Sequence, residues 1–238
     1  MFRHKGNART LIHNLQIASL LSFVAGIVNV IGFLAVQRLT TNVTGHFAFF
    51  VDEFYKLNFF QGFLYLLYIL FFLFGSFVSN FLVEYLHKRK ESYVFAVPGI
   101  LEALLLLIAS FWQEIFSSIE PDYLAFLLLF TMGLQNSLVT SISNATVRTT
   151  HLTGLFTDLG IELSQLFFYK QIETKKKLYS SIFLRLTIIS FFFIGGVISG
   201  ILYSQFGLHV MLLATAVLLI GITFDYWKLK LIRMKRKH

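Results

Sequence analysis

Apolar residues fill long, nearly uninterrupted stretches of this chain. Five runs stand out, at roughly 15–37, 59–86, 93–113, 181–203 and 207–227, with a slightly more polar sixth at 123–142. Each is about long enough to cross a ~30 Å hydrocarbon core as a helix. Two shorter apolar pieces, 45–58 and 154–169, each follow a polar break. The pattern predicts an all-α, polytopic membrane bundle in one transmembrane domain, residues 1–238. It has six full spans plus two short broken or re-entrant helices.

Composition strengthens this picture. The chain is 56% hydrophobic, with mean hydropathy +0.72 and 29 Phe. Charged residues make up 13%, against about 25% in a soluble domain, too few to cover a soluble surface. The formal charge of +8 sits in short tracts beside apolar runs. That placement orients a membrane protein and touches anionic lipid, so membrane lipid, not nucleic acid, is the expected partner. The absence of cysteine excludes disulfide and thiolate chemistry. The first run follows Arg3, Lys5 and Arg9, as a signal peptide would. It is too long for the apolar core of one and is expected to be a retained span.

Charge also sets the topology. His87-Lys88-Arg89-Lys90, Lys170, Lys175-Lys176-Lys177 and the tract from Lys228 fall on one side of a six-span arrangement. Glu114, Glu120 and Asp122 fall on the other. Eight crossings would put the basic tract at 88–90 outside, against the positive-inside rule. The expectation is therefore a bacterial inner-membrane protein with both termini cytoplasmic. Arg38 and Lys56 are mild exceptions.

A motif occurs twice, as Thr40-Thr41-Asn42-Val43-Thr44-Gly45 and as Thr149-Thr150-His151-Leu152-Thr153-Gly154. Each copy follows a span carrying Gly-x-x-Asn, Gly26 to Asn29 and Gly133 to Asn136. Residues 15–113 and 123–227 are thus two repeats. With three spans in the first, the second starts on the opposite face. The result is an inverted 3+3 repeat, a recurrent transporter architecture.

The breaks are the candidate site. Thr44 and Thr153 are placed to cap the short helices, with Gly45 and Gly154 in the first turns. A helix N-terminus at partial membrane depth offers amide protons and a positive dipole end. Asn29 and Asn136 need partners at lipid depth; they are expected either to bond the broken segments or to line a cavity and contact substrate. The candidate substrate-binding set is Asn29, Thr41, Thr44, Gly45, Asn136, Thr150, Thr153 and Gly154. Gly26 and Gly133 are expected to let the short helices approach their host spans. Gly75, Ser76 and Ser79, and Gly195, Gly196 and Gly200, form small-residue packing faces. Intramembrane carboxylates are costly and usually functional. Asp158 and Glu162 share one helix face, and Glu102 lies inside the third span. These three are the coupling candidates, with an ion pair to Arg185 as the alternative role for Glu102. His46 and His151 occupy different repeat positions. No residue set has metal-ligand spacing, and no cofactor is expected.

Gly26-Ile27-Val28-Asn29 with Thr41-Asn42-Val43-Thr44-Gly45, and Gly133-Leu134-Gln135-Asn136 with the second Thr-Gly copy, are identifiable together. On them the chain resembles the DUF1275, or YoaK-like, family over about 15–227. The resemblance implies a multi-pass bacterial inner-membrane protein and supplies no reaction or substrate. From the repeat, the expected function is a small secondary transporter or permease for a small polar or anionic solute, acting alone or as a homo-oligomer. A non-transporting scaffold or partner subunit is the second expectation. An intramembrane enzyme acting on lipid is the third, and it lacks a visible nucleophile–base pair.

Overall fold

The computed structural model describes residues 9–89, 93–116 and 120–235, except the side chains of 226 and 228–235. Arg3, Lys5, Lys90 and the side chains of the basic tract from Lys228 lie outside the described residues. The fold is all-α. In chain order the helices are α1 (Leu11–Val36), α2 (Thr44–Tyr55), α3 (Phe59–Lys88), α4 (Ala96–Ser110), α5 (Trp112–Ile115), α6 (Pro121–Ser143), α7 (Leu152–Phe168), α8 (Ile172–Phe206) and α9 (Met211–Lys235). A short 3-10 turn, Gly207–Val210, joins the last two.

Local chemistry explains the helix ends. The Thr10 side chain accepts a hydrogen bond from the His13 backbone N–H at the start of α1, and Pro121 occupies the first turn of α6, where its missing amide proton costs little. α1 and α6 both stop at a residue in the left-handed conformation, Gln37 at φ 54° and Asn144 at φ 53°. Such a residue cannot continue a right-handed helix. The two Thr-rich breaks begin there.

Four helical stretches are long and apolar enough to cross a membrane: 11–36, 59–88, 121–143 and 172–225. The protein is therefore a multi-pass membrane protein. The last stretch turns at Gly207–Val210, where α8 gives way to α9. α8 starts at Ile172, earlier than the apolar run at 181, because the Lys-rich segment is helical too. α4 is shorter than expected at 15 residues, about 22 Å of helix. The run that suggested 93–113 breaks at Phe111 before α5.

Contacts fix the helix directions. Phe23 and Val30 of α1 face Gly195 and Gly200 of α8 in the same order, so these helices run parallel. Ser76 bonds the Gly133 carbonyl, and Asn80 meets Ser141, so α3 and α6 also run parallel. Gln135 reaches the Leu21 carbonyl while Arg38 pairs with Asp122, so α1 and α6 are antiparallel. Gly99 meets Ile222, and Phe111 packs on His209, so α4 and α9 are antiparallel. Gly221 lies on Leu20, and Phe224 and Val217 share a groove with Gln16 and Phe23, so α9 also opposes α1. Thus α1, α4 and α8 run one way, and α3, α6 and α9 the other.

The closest packing follows one local pattern. Phe23-x-x-Gly26, Phe72-x-x-Gly75, Phe130-x-x-Gly133 and Phe192-x-x-Gly195 each lie on a different helix. Gly26 rests on the Phe192 carbonyl and Gly195 on that of Phe23; Gly75 and Gly133 exchange the same contact through Phe130 and Phe72. A Cβ at any of the four would overlap a backbone oxygen. In lipid, helices associate by such close packing, because lipid tails are as apolar as leucine. The expected role of Gly26 and Gly133 is corrected here. They admit α8 and α3, not the short helices.

The two sequence halves therefore interleave. α1 packs mainly on α8, and α6 mainly on α3. α4 packs mainly on α9, so each of the three closest pairs joins one helix from each half, with α7 along α8 and α2 along α3. The pairs are joined where α1 meets α6 and α9 and where α4 meets α6. The spans of α1 and α6 are each 61% buried and that of α3 only 22%. The two helices bearing Gly-x-x-Asn are thus the central ones.

Candidate functional site

Each break folds back against its own preceding helix. Thr40 donates to the Val28 carbonyl at 3.1 Å, and Thr41 donates to Asn29 Oδ1 at 2.6 Å. In the second half Thr150 donates to Asn136 Oδ1 at 2.8 Å. Thr149 accepts from Gln135 Nε2 at 3.0 Å, and the same nitrogen donates to the Leu21 carbonyl of α1 at 3.1 Å. Thr41–Asn29 and Thr150–Asn136 are the same clasp in both repeats. It answers the demand that a chain break at membrane depth be satisfied by protein. Thr40 and Thr149 are fully buried and Thr41 nearly so.

The rest of the candidate set lies outside the clasps. Thr44 and Thr153 are exposed, and Gly45 and Gly154 are half-buried in the first turns of α2 and α7. Neither Thr caps its helix. Helix formation begins at Thr44 and Leu152, and neither cap residue, Val43 or His151, makes a side-chain cap bond. Asn42 Oδ1 accepts from the Gly45 N–H at 3.1 Å instead. The cap therefore falls two residues before the expected threonine. A cavity of about 470 Å³ opens elsewhere, between α1, α8 and α9, with Ser19, Phe23, Phe191 and Gly221 in its walls.

The short helices are held by different chemistry at matching positions. Phe49 and Asp158 stand at the same place after Thr44 and Thr153, and Tyr65 and Arg185 at the same place before Gly75 and Gly195. In the first half Phe49 stacks on Tyr65, with ring centroids 5.2 Å apart. In the second, Arg185 pairs with Asp158 at 2.9 Å. Arg185 also donates two hydrogen bonds to Glu162, at 2.8 and 2.9 Å, and Ser181 donates a third at 2.7 Å. Arg185 is thus engaged by α7, which corrects its expected pairing with Glu102. Asp52 and Glu53 lie beside Lys56 at the α2–α3 turn. The Asp52 hydrogen bond holds the Lys56 ammonium above its ordinary range.

Arg38, His46 and Glu102 stand out in the sequence, but their surroundings are set only by the fold. Arg38 donates to the Tyr68 hydroxyl at 3.2 Å, Tyr68 bonds Asp122, and Arg38 lies 3.6 Å from Asp122. That network ties α1, α3 and α6 together and explains the basic residue on the acidic side. His46 is buried on the Leu39 carbonyl and packs on Tyr68, whereas His151 is exposed. Glu102 is fully buried, and no described residue bonds either of its carboxyl oxygens. Gly99, one turn earlier on α4, touches Ile222 of α9 and Leu138 of α6. Glu102 therefore stands on the stretch of α4 that packs against α9 and α6. Among the described residues no group of three His, Cys, Asp or Glu side chains could hold a metal ion.

A family model described as a protein of unknown function, DUF1275, matches residues 17–224. The chain belongs to the DUF1275 family. The match runs from within α1 to within α9 and includes both clasps, the four Phe-x-x-Gly contacts and Glu102. No curated protein and no solved structure matches the chain.

Proposed function

We propose that this DUF1275 protein is a small secondary transporter or permease for a small polar or anionic solute. It makes six spans as an inverted 3+3 repeat in the inner membrane, with both termini cytoplasmic. Three helices in each direction support that count. So do the equivalent clasps, which end α1 and α6, two antiparallel central helices. Because each closest helix pair joins the two sequence halves, the halves would not move as separate units. Rocking at the lighter α1–α6 and α1–α9 contacts would expose opposite faces in turn.

The observation that carries the proposal is Glu102, a fully buried carboxyl on α4 with no described partner. An ionisable group inside a membrane bundle marks ion and proton pathways. Asp158 and Glu162 are weaker coupling candidates, since both already pair with Arg185. The clasps Thr41–Asn29 and Thr150–Asn136 set where α2 and α7 begin. The first turn of α7, at Thr153 and Gly154, has no side-chain cap bond and offers amide protons to an anionic group. The proposal assigns the chain no enzymatic step.

A second reading, a non-transporting scaffold or partner subunit, is favoured by one observation. The clasp hydroxyls of both motif copies are used within the protein. Uptake into proteoliposomes from a panel of anionic, zwitterionic and neutral polar solutes separates the two. Saturable flux in wild type that Glu102→Gln abolishes supports transport. No saturable flux with any class supports the scaffold.

A further inference from the structure

The cavity of about 470 Å³ between α1, α8 and α9 is a groove with two chemically different ends. Phe23 of α1, Phe191 of α8 and Val217 of α9 line the apolar end; Gln16 and Ser19 of α1 and Asp225 of α9 line the polar end. Register explains the sorting. Gly221 lies on Leu20, and α9 opposes α1. The turn after Gly221 on α9 therefore faces the turn before Leu20 on α1, and those turns carry Asp225 and Gln16. The polar end thus points toward the start of α1 and the end of α9. From Gln16 to Phe23 the groove follows about 10 Å of helix.

An occupant must suit both ends. The walls belong to stretches long and apolar enough to cross a membrane, and Ile220 and Phe224 on the rim are exposed. The groove therefore opens sideways into lipid, where an acyl chain is the apolar filler at hand. A small polar solute would leave its polar groups unpaired against Phe23, Phe191 and Val217. The charges at the polar end narrow the choice of head. Among the described lining residues only Asp225 is charged, and it is nearly buried. Arg9, just before α1, lies close enough to Asp225 to feel its charge. It is oriented by donating to Asn14 Oδ1 and to the His13 carbonyl, each at 2.7 Å. Both charged groups also have contacts within the protein, but a guanidinium has several N–H donors and a carboxylate several lone pairs. The mouth thus offers one fixed charge of each sign. Phosphate suits Arg9, and a primary ammonium suits Asp225, through charge-assisted hydrogen bonds. A head that is only anionic would set like charge against Asp225. A quaternary ammonium has no N–H to give it.

We propose that the groove binds one phosphatidylethanolamine from the leaflet on the side of the N-terminus, with its ammonium on Asp225, its phosphate on Arg9 and one acyl chain running past Phe23 and Phe191. Gln16 stands at the polar end, where its amide can donate to an ester carbonyl. The lipid would brace α1 against α9, one of the lighter contacts between the helix pairs. The site does not depend on the transport reading.

The test titrates delipidated, purified full-length protein with phosphatidylethanolamine, phosphatidylcholine or phosphatidylglycerol of identical acyl chains and reads thermal stability. In parallel, phosphatidylethanolamine with a photoreactive group on one acyl chain is crosslinked in proteoliposomes and mapped by mass spectrometry. Wild type is expected to gain Tm saturably with phosphatidylethanolamine alone, as mass action requires of a ligand that binds the folded state. The label should fall on the 16–23 and 217–225 segments. Ser19→Phe fills the groove from its wall and leaves Arg9 and Asp225 in place; it should abolish both stabilisation and label. Asp225→Asn should weaken apparent phosphatidylethanolamine affinity roughly tenfold or more and reduce the discrimination against phosphatidylglycerol, which a loss of fold alone would not do. Glu84→Gln, an exposed carboxylate near the end of α3, leaves the response unchanged. Equal stabilisation by the three lipids, or the strongest by phosphatidylglycerol, overturns the proposal. So does a response that survives Ser19→Phe, or label spread as densely over the exposed face of α3 as over the groove.

Discussion

Asp158 of α7 meets Arg185 of α8 at 2.9 Å, at the position where the other repeat stacks Phe49 on Tyr65. Arg185 also holds Glu162 through two hydrogen bonds. The Asp158 side chain is 51% exposed and that of Glu162 13%, so the two partners differ in weight. A double-mutant cycle between Asp158→Asn and Arg185→Gln should return ~0–1 kcal/mol, as exposed pairs do. The cycle between Glu162→Gln and Arg185→Gln should return about 1.5–3 kcal/mol, the range for hydrogen bonds to charged groups. Thermal unfolding of the three single variants, the two double variants and the wild type gives both numbers.

The Phe-x-x-Gly contacts predict a graded response to a single added methyl. At Gly26, Gly75, Gly133 and Gly195 a Cβ meets backbone, which cannot move aside without separating two helices. Alanine at any of them should cost about 1–3 kcal/mol or more, lowering Tm by about 2–4 °C per kcal/mol. Gly160 on α7 has nothing within 4 Å of an added Cβ. Gly160→Ala should be neutral or raise Tm, since alanine is the better helix former by ~1 kcal/mol.

The duplicated motif should split into two classes under mutation. Thr41→Val and Thr150→Val each leave an asparagine oxygen without its donor, at about 1–3 kcal/mol. Thr44→Val and Thr153→Val alter exposed positions and should stay within about 0.5 kcal/mol of wild type. If Thr44 or Thr153 proved as costly as Thr41, the clasp would not be what the motif is for structurally.

Much of this architecture was legible from the sequence. Apolar run length located the long helices, and the motif copies located both breaks. Asn29 and Asn136 were expected to bond the broken segments or to line a cavity, and their bonds to Thr41 and Thr150 are the first of these, since a buried amide must find a partner. The identity of the partner for Gly26 was not legible. A glycine shows that some backbone comes close, and only the fold says whose. The helix caps were misplaced because Thr44 and Thr153 already lie inside α2 and α7; Asn42 bonds the Gly45 N–H in the first copy, and His151 makes no cap bond in the second. The interleaving of the halves was hidden for a related reason. Phe-x-x-Gly recurs on four helices, yet in a chain with 29 Phe it does not stand out, and nothing local says which copies pair. Glu102 was found by its charge, but its lack of a partner depended on Arg185 being engaged by α7.

The central claim is that the two repeats enter the membrane from opposite faces. The natural chain has no cysteine, so single cysteines report without background. Tyr55→Cys places one at the exposed end of α2, and Lys170→Cys places one in the exposed link after α7. Labelling of intact and permeabilised cells with a membrane-impermeant maleimide then reads the side of each. The inverted repeat predicts that Cys at position 55 reacts from outside and Cys at position 170 only after permeabilisation. Reaction of both from the same side would mean that α2 and α7 cross the membrane fully, and would contradict the account.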